Sequence, residues 1–222
     1  NAGYTAYIVG GCVRDAVMGK APHDYDICTS ALPEEVHEVF SDRKIIDTGL
    51  KHGTVTVGGD LDFYEVTTYR VDGEYIDNRR PEEVVFVSEI EKDLARRDFC
   101  MNAIAYNPKT GICDPFGGFE DIKNKTIRCV GAPNERFQED ALRIMRAVRF
   151  ASVLGFNIEQ DTKVAMFNNK KLLKNISEER KNSEFCKMLM KADFNLLNTY
   201  KDIFATFIPE IKDCFYFEQF NY

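Results

Sequence analysis

The feature that most limits what this chain can fold into is a change of hydrophobic period near Glu139. Before it, short runs of strand-forming residues alternate with glycine turns and helical patches; after it, glycines and strand formers thin out. Ala141, Met145 and Val148 recur at i, i+4 and i+7, which is one face of a helix. Lys170 to Lys191 holds further helical segments, with Ser177 placed to cap above Glu178 and Glu179. The earlier part predicts a strand at Tyr7–Val9, a turn at Gly10-Gly11, a helix over Val13–Met18 and a strand at Tyr25–Cys28. A helix capped by Ser30 follows, with Val36, Val39 and Phe40 on its apolar face. Thr54–Val57 and Leu61–Tyr69 flank Gly58-Gly59-Asp60 as a hairpin, and Val84–Val87 is a further strand or edge segment. The expected architecture is α+β, with a first domain over residues 1–130 and an all-helical segment over 131–222.

Composition narrows the function. The 222 residues, 44% hydrophobic, can bury a real core. A net charge of −7 argues against a broad nucleic-acid-gripping face, but leaves room for an enzyme whose positive charge is confined to one cleft. Seven scattered cysteines form no C-x-x-C pair, and the three histidines build no ligand set, so neither a disulfide framework nor a zinc site is expected. A reducing, cytoplasmic setting is the simpler inference. No apolar run approaches the roughly 20 residues that span a bilayer, and the opening stretch lacks the order of a signal peptide.

Four segments carry chemistry. In Asp24-Tyr25-Asp26 the two acids stand two apart, which on a strand turns both to one side. Paired hard anionic oxygens suit Mg²⁺ chemistry on phosphates, although an exposed strand face gives the same pattern. Gly10-Gly11-Cys12-Val13-Arg14-Asp15 joins a glycine turn to a helix start and a forked cation, a weak phosphate-cradle signal without a Walker-type lysine. Asp93-Leu94-Ala95-Arg96-Arg97-Asp98-Phe99, followed by Asn102-Ala103, is by default a surface salt-bridge cluster. In Glu139–Arg149, Asp140, Arg143, Arg146 and Arg149 step by three, a stripe that is either a solvated face or the wall of a cleft.

Taken in order, and with Glu65-Val66-Thr67-Thr68-Tyr69-Arg70 between them, these segments make residues 5 to 190 resemble a class II tRNA nucleotidyltransferase, the CCA-adding family of the polymerase-β-like superfamily. The resemblance implies a nucleotidyltransferase head, a mixed or antiparallel sheet flanked by helices, followed by a helical neck and the start of a truncated body. It implies Asp24 and Asp26 as catalytic ligands of Mg²⁺, and Gly11, Arg14, Arg97, Asp140, Arg143, Arg146 and Arg149 as nucleotide-binding residues. Glu139 would hold Arg143, and Glu65 on a neighbouring strand is a candidate third carboxylate. The implied activity is template-independent addition of C, C and A to the tRNA 3′ end from CTP and ATP, with pyrophosphate release. The polar stretch Arg70–Pro81 matches a loop linked in that family to adding the terminal A. Lys170, Lys171, Lys174, Arg180 and Lys181 remain as RNA-backbone candidates or as plain solvated helix residues.

Base choice follows from chemistry. A carboxylate only accepts hydrogen bonds and a guanidinium only donates them. Cytosine and adenine each offer an amino donor beside a ring-nitrogen acceptor, so an Asp140–Arg143 pair complements both. Uracil and guanine present the reverse, opposing buried groups at about 1–3 kcal/mol each. The alternatives are a poly(A) polymerase, a CC-only or A-only adding enzyme, and an inactive RNA- or nucleotide-binding module on the same fold.

Overall fold

In a computed structural model the described residues are 2–22, 24–60, 62–73, 75–76, 80–81, 83–192 and 194–219. The chain divides into two compact units, residues 1–74 with 81–124, and residues 75–80 with 125–222.

The first unit is built on β1 (Ala6–Val9), α1 (Gly11–Val17), β2 (Asp26–Thr29), α2 (Pro33–Val39), β3 (Ile45–Gly49), β4 (Thr54–Gly58) and β5 (Phe63–Thr68). β6 (Arg70–Asp72) follows; the two-residue strands β7 (Tyr75–Ile76) and β8 (Arg80–Pro81) fall, Pro81 apart, on residues of the second unit, and the first unit resumes with β9 (Val84–Phe86). α3 (Ile90–Ala95), β10 (Ala105–Asn107), β11 (Gly111–Cys113) and α4 (Gly118–Lys123) complete it. Seven strands form one sheet in the order β11-β10-β1-β2-β5-β4-β3. β2 and β5 run parallel within an otherwise antiparallel ladder, so the sheet is mixed, as expected. The predicted hairpin is β4–β5, with Val55 opposite Val66 and Gly58 opposite Phe63. Ala31, Val36, Val55, Val57 and Val66 are buried together between α2 and one sheet face, with Ile27 and Ile45 against them.

Two local expectations shift. The helix expected to be capped by Ser30 starts instead at Pro33, whose fixed φ suits a first helical position. Ser30 Oγ accepts the Thr5 N–H at 3.0 Å, and the Glu35 carboxylate accepts the Leu32 N–H at 2.7 Å. The strand expected from Tyr25 begins at Asp26.

The second unit has a parallel pair, β12 (Thr126–Ile127) with β13 (Asn157–Ile158), and five helices among the described residues. These are α5 (Pro133–Glu139), α6 (Leu142–Leu154), α7 (Gln160–Asn169), α8 (Glu178–Leu189) and α9 (Phe194–Phe204). α6 stops at Gly155, which takes the left-handed conformation (φ 69°) that glycine reaches without a Cβ penalty. Its apolar face, including Ile144, Met145, Ala147 and Val148, is buried. Phe185 meets Phe204 edge-on at 5.3 Å, and Phe207 packs against both rings. Ser177 is the N-cap residue of α8, but its side chain makes no capping hydrogen bond. The first part of the expected helical run, Lys170–Asn175, is a tighter three-residue-per-turn segment.

Candidate functional site

The sheet register assembles the first part of the site. β1 and β2 pair with Val9 opposite Asp26, and β2 and β5 pair with Asp26 opposite Glu65. The end of β1, where the Gly10-Gly11 turn begins, thus lies level with Asp26 and Glu65 in one row across three strands. Asp24, Asp26 and Glu65 are all exposed. The period-two argument for the acid pair needs correcting, because Asp24 lies in a bend before β2 and only Asp26 is in the strand. The chain turns there, so the turn and not strand alternation places Asp24.

Among the described residues no three or more His, Cys, Asp or Glu side chains gather into a complete metal-ligand group. Magnesium, however, typically takes one or two carboxylates and fills its octahedron with water and substrate phosphate oxygens. Two exposed aspartates with a glutamate on the adjacent strand are a donor set of that kind.

Gly10 carries the positive φ (76°), whereas Gly11 is the first residue of α1. A Cβ on Gly10 would lie 2.8 Å from Arg97 Nη1, while one on Gly11 would meet Arg14 Nη2 at an ordinary 3.6 Å. Close packing of backbone against a guanidinium therefore requires glycine at position 10, a residue the sequence reading passed over in favour of Gly11. Arg14 is buried: Nε and Nη2 donate to Asp15 Oδ1 at 2.9 and 2.8 Å, and Nη1 donates to Asn102 Oδ1 at 2.8 Å. Asn102 Nδ2 in turn donates to Asp98 at 3.2 Å, so this motif and the Arg96–Asn102 segment are tied together.

The default reading of the Asp93–Phe99 segment as a surface cluster also fails. Asp93 is 0% exposed. It lies on α3, and Arg96 and Arg97 follow at i+3 and i+4, so both guanidinium groups reach back to it. Burial alone would raise the Asp93 pKa, but Arg96 and Arg97 outweigh it and hold the carboxyl below its usual range. The neighbouring Cys28 thiol is pushed up to about 12, first by burial and then by the Asp93 charge. The i, i+3, i+4 spacing was visible in the sequence; the burial was not.

The second unit holds the other candidates. Asp140 lies in the joint between α5 and α6 and not on the α6 stripe, which begins at Arg143. Its Oδ1 accepts the Leu142 N–H at 3.0 Å, capping the start of α6, and its Oδ2 pairs with Arg180 at 2.9 Å. Arg143, 7% exposed, pairs with Glu139 at 2.7 Å. Arg149 pairs with the buried Glu184 at 2.5 Å, and its guanidinium lies 4.0 Å from the Phe150 ring centroid; Arg146 approaches Glu184 at 3.8 Å. Arg180 is therefore not a free solvated residue, and Lys181 is 2% exposed and paired with Glu178. Acids and arginines on a half-buried amphipathic helix were the available signal for Arg180 and Glu184. Of the Arg70–Pro81 stretch, Glu74 and residues 77–79 lie outside the described residues.

Comparison with known proteins supplies the context. Residues 6–128 match the model of the poly A polymerase head domain, and residues 155–214 match that of a probable RNA- and SrmB-binding site of polymerase A. The CCA-adding enzyme of Geobacillus kaustophilus is 57% identical over 187 residues, 84% of this chain and 46% of that protein. That of Listeria monocytogenes is 48% identical over 216 residues, covering 96% and 54%. Among solved structures, the Bacillus stearothermophilus CCA-adding enzyme in complex with CTP aligns with a TM-score of 0.77 at 51% identity, over 84% of this chain and 45% of that one. The Thermotoga maritima CCA-adding enzyme complexed with tRNA-CCA aligns at 0.78 and 26% identity, over 93% and 49%. The chain spans about half the length of the curated relatives it matches. On the match across 6–128 and the identity around it, the chain belongs to the poly A polymerase head-domain family, the class II tRNA nucleotidyltransferases.

Proposed function

We propose that this chain is the catalytic part of an enzyme that adds C, C and A to the 3′ end of tRNA from CTP and ATP, releasing pyrophosphate. The observation that carries the reading is the row that sets Asp26 level with Glu65 and the Gly10 turn, in a chain 57% identical to a CCA-adding enzyme. Residues 1–130 would act as the head and 131–222 as the neck and start of the body. Asp24 and Asp26 would hold Mg²⁺. When bound, that ion lowers the pKa of the attacking 3′-hydroxyl and stabilises charge on the leaving pyrophosphate.

The chain's own groups then divide the remaining work. Arg97 and Arg14, beside Gly10 and Gly11, donate to the nucleotide's phosphates. Asp140 and Arg143 read the base edge, with Glu139 holding Arg143 and Arg180 holding Asp140. Arg146 and Arg149, on α6, are the second unit's further nucleotide-binding candidates. No helix among the described residues is long and apolar enough to cross a membrane, and seven scattered cysteines with no C-x-x-C spacing fit a reducing, cytoplasmic setting.

The test gives the protein Mg²⁺ and a tRNA transcript lacking CCA, with CTP alone, ATP alone, then both. Two additions from CTP and one more with ATP are expected. Long A tracts from ATP alone would move the assignment to poly(A) polymerase, the activity in the family model's own description. A stop after CC would mean a CC-only enzyme, a single A added only to a transcript already ending in CC would mean an A-only one, and turnover no greater than in Asp24→Ala would mean a binding module. For base choice, Asp140→Ala is expected to narrow the preference for CTP and ATP over UTP and GTP by the roughly 1–3 kcal/mol of one unsatisfied buried group. Unchanged ratios among the four nucleotides would remove Asp140 from that role.

A further inference from the structure

One buried carboxylate in the first unit has no part in the chemistry above, yet every polar group around it belongs to a segment of the candidate site. Asp93 divides its two oxygens between two tasks. Oδ1 accepts Arg96 Nε and Nη2 at 3.0 and 2.8 Å and the Arg70 backbone N–H at 3.3 Å. Oδ2 accepts Arg97 Nη2 at 3.2 Å and faces the Cys28 thiol, a weak donor, at 3.8 Å. Cys28 lies on β2 two residues after Asp26, and Arg97 Nη2 also reaches its sulfur at 3.5 Å. The guanidinium of Arg97 is thus pinned at Nη2 against β2, while Nη1 lies across Gly10 where a Cβ would come within 2.8 Å. Its Nε is buried with no hydrogen-bond partner among the described residues. A buried donor left unmatched is costly, and an arriving anionic oxygen would satisfy it.

We propose that Asp93 is a positioning residue for nucleotide binding: its Oδ2 fixes Arg97 across Gly10 and leaves the remaining donors of that guanidinium for the phosphates of the incoming nucleotide. This rests on the reading of Arg97 as a nucleotide ligand. Asparagine at 93 discriminates the idea, because it has one acceptor oxygen where two arginines need two. The amide oxygen goes to Arg96, which makes two bonds there, and the amide NH₂ then faces Arg97 Nη2, donor against donor.

The experiment is a double-mutant cycle on CTP affinity, read by calorimetry in Mg²⁺, with D93N, R97Q and the pair. R97Q is expected to weaken CTP binding by about 10- to 100-fold, the worth of a charged hydrogen bond. D93N is expected to weaken it comparably, and to add nothing once R97Q is present. Additive losses, or a D93N protein that binds CTP as the parent does, would overturn the positioning role. If R97Q leaves CTP affinity intact, the reading of Arg97 as a ligand fails instead, and the proposal falls with it. A readout on the unaltered protein covers a D93N chain that does not fold. Nitrogen-detected NMR of the arginine side chains should show the two Arg97 Nη groups as distinct, slowly rotating signals without CTP, and a shifted Nε signal with it. Freely averaged Nη signals in the unliganded protein would equally overturn the proposal.

Discussion

Replacing Gly10 by alanine separates two glycines that look interchangeable in the sequence. Gly10 sits at φ 76° and ψ −131°, outside the regions an L-residue occupies without strain, and residues forced there cost of order 1–3 kcal/mol. The added Cβ would also lie 2.8 Å from Arg97 Nη1, so the guanidinium must shift away from its seat between Gly10 and Asp93. For a protein of this size each kcal/mol moves the melting temperature by about 2–4 °C, which puts Gly10→Ala about 2–12 °C below the parent. Gly11→Ala is the control. Position 11 is helical, its Cβ meets Arg14 Nη2 at 3.6 Å, and alanine is favoured over glycine in helices, so its melting temperature should equal or exceed the parent's. Circular dichroism melts of the three proteins, with CTP affinity measured alongside, check this. CTP binding should weaken in Gly10→Ala through the displaced Arg97. A Gly10→Ala protein that melts with the parent, or a Gly11→Ala protein that melts below Gly10→Ala, would refute the assignment of the close approach to position 10.

Other outcomes follow from the same geometry. The folded-state pKa of Asp93 lies below its unfolded value, so its contribution to stability is complete above about pH 3.9 and is lost as pH falls through the lower folded value. The gap in urea midpoint between parent and D93N should therefore stay level from pH 7 to 5 and close only below pH 4; a gap that closes already between pH 7 and 5 would contradict the sign. At pH 8 Ellman's reagent should modify the exposed Cys186 and Cys214 quickly in the native protein and leave Cys28 untouched until unfolding, as peptide mapping would show. Phe204, 0% exposed and edge-on to Phe185 and Phe207, should cost about 3–5 kcal/mol when cut to alanine, seen as a lowered denaturation midpoint; a loss below 1 kcal/mol would mean the aromatic cluster is not a core.

Much of this protein is set locally and can be read from its residues in order. The hairpin around Gly58-Gly59 needs only alternating strand formers on either side of a turn, and α6 needs only the spacing of Ala141, Met145 and Val148 with Gly155 to end it. The acids, the glycine turn and the arginine clusters are likewise visible as short runs of residue types, although each run also fits a plain structural reading. What the sequence could not supply is pairing between distant segments. The parallel register that sets Glu65 opposite Asp26 depends on how two strands slide past one another, and a shift of one residue would turn every side chain over. Arg180 reaches Asp140 from forty positions away, and Glu184 holds Arg149 from thirty-five. Asp93 became a buried hub because α3 lies against β6, where Asp93 meets the Arg70 N–H and the Cys28 thiol, a burial that no periodicity of charged residues encodes. Local patterns chose the elements and picked out the candidate residues. Only the tertiary packing decided which glycine must lack a side chain and which charges hold one another in place, because those depend on separations in space that the order of residues leaves free.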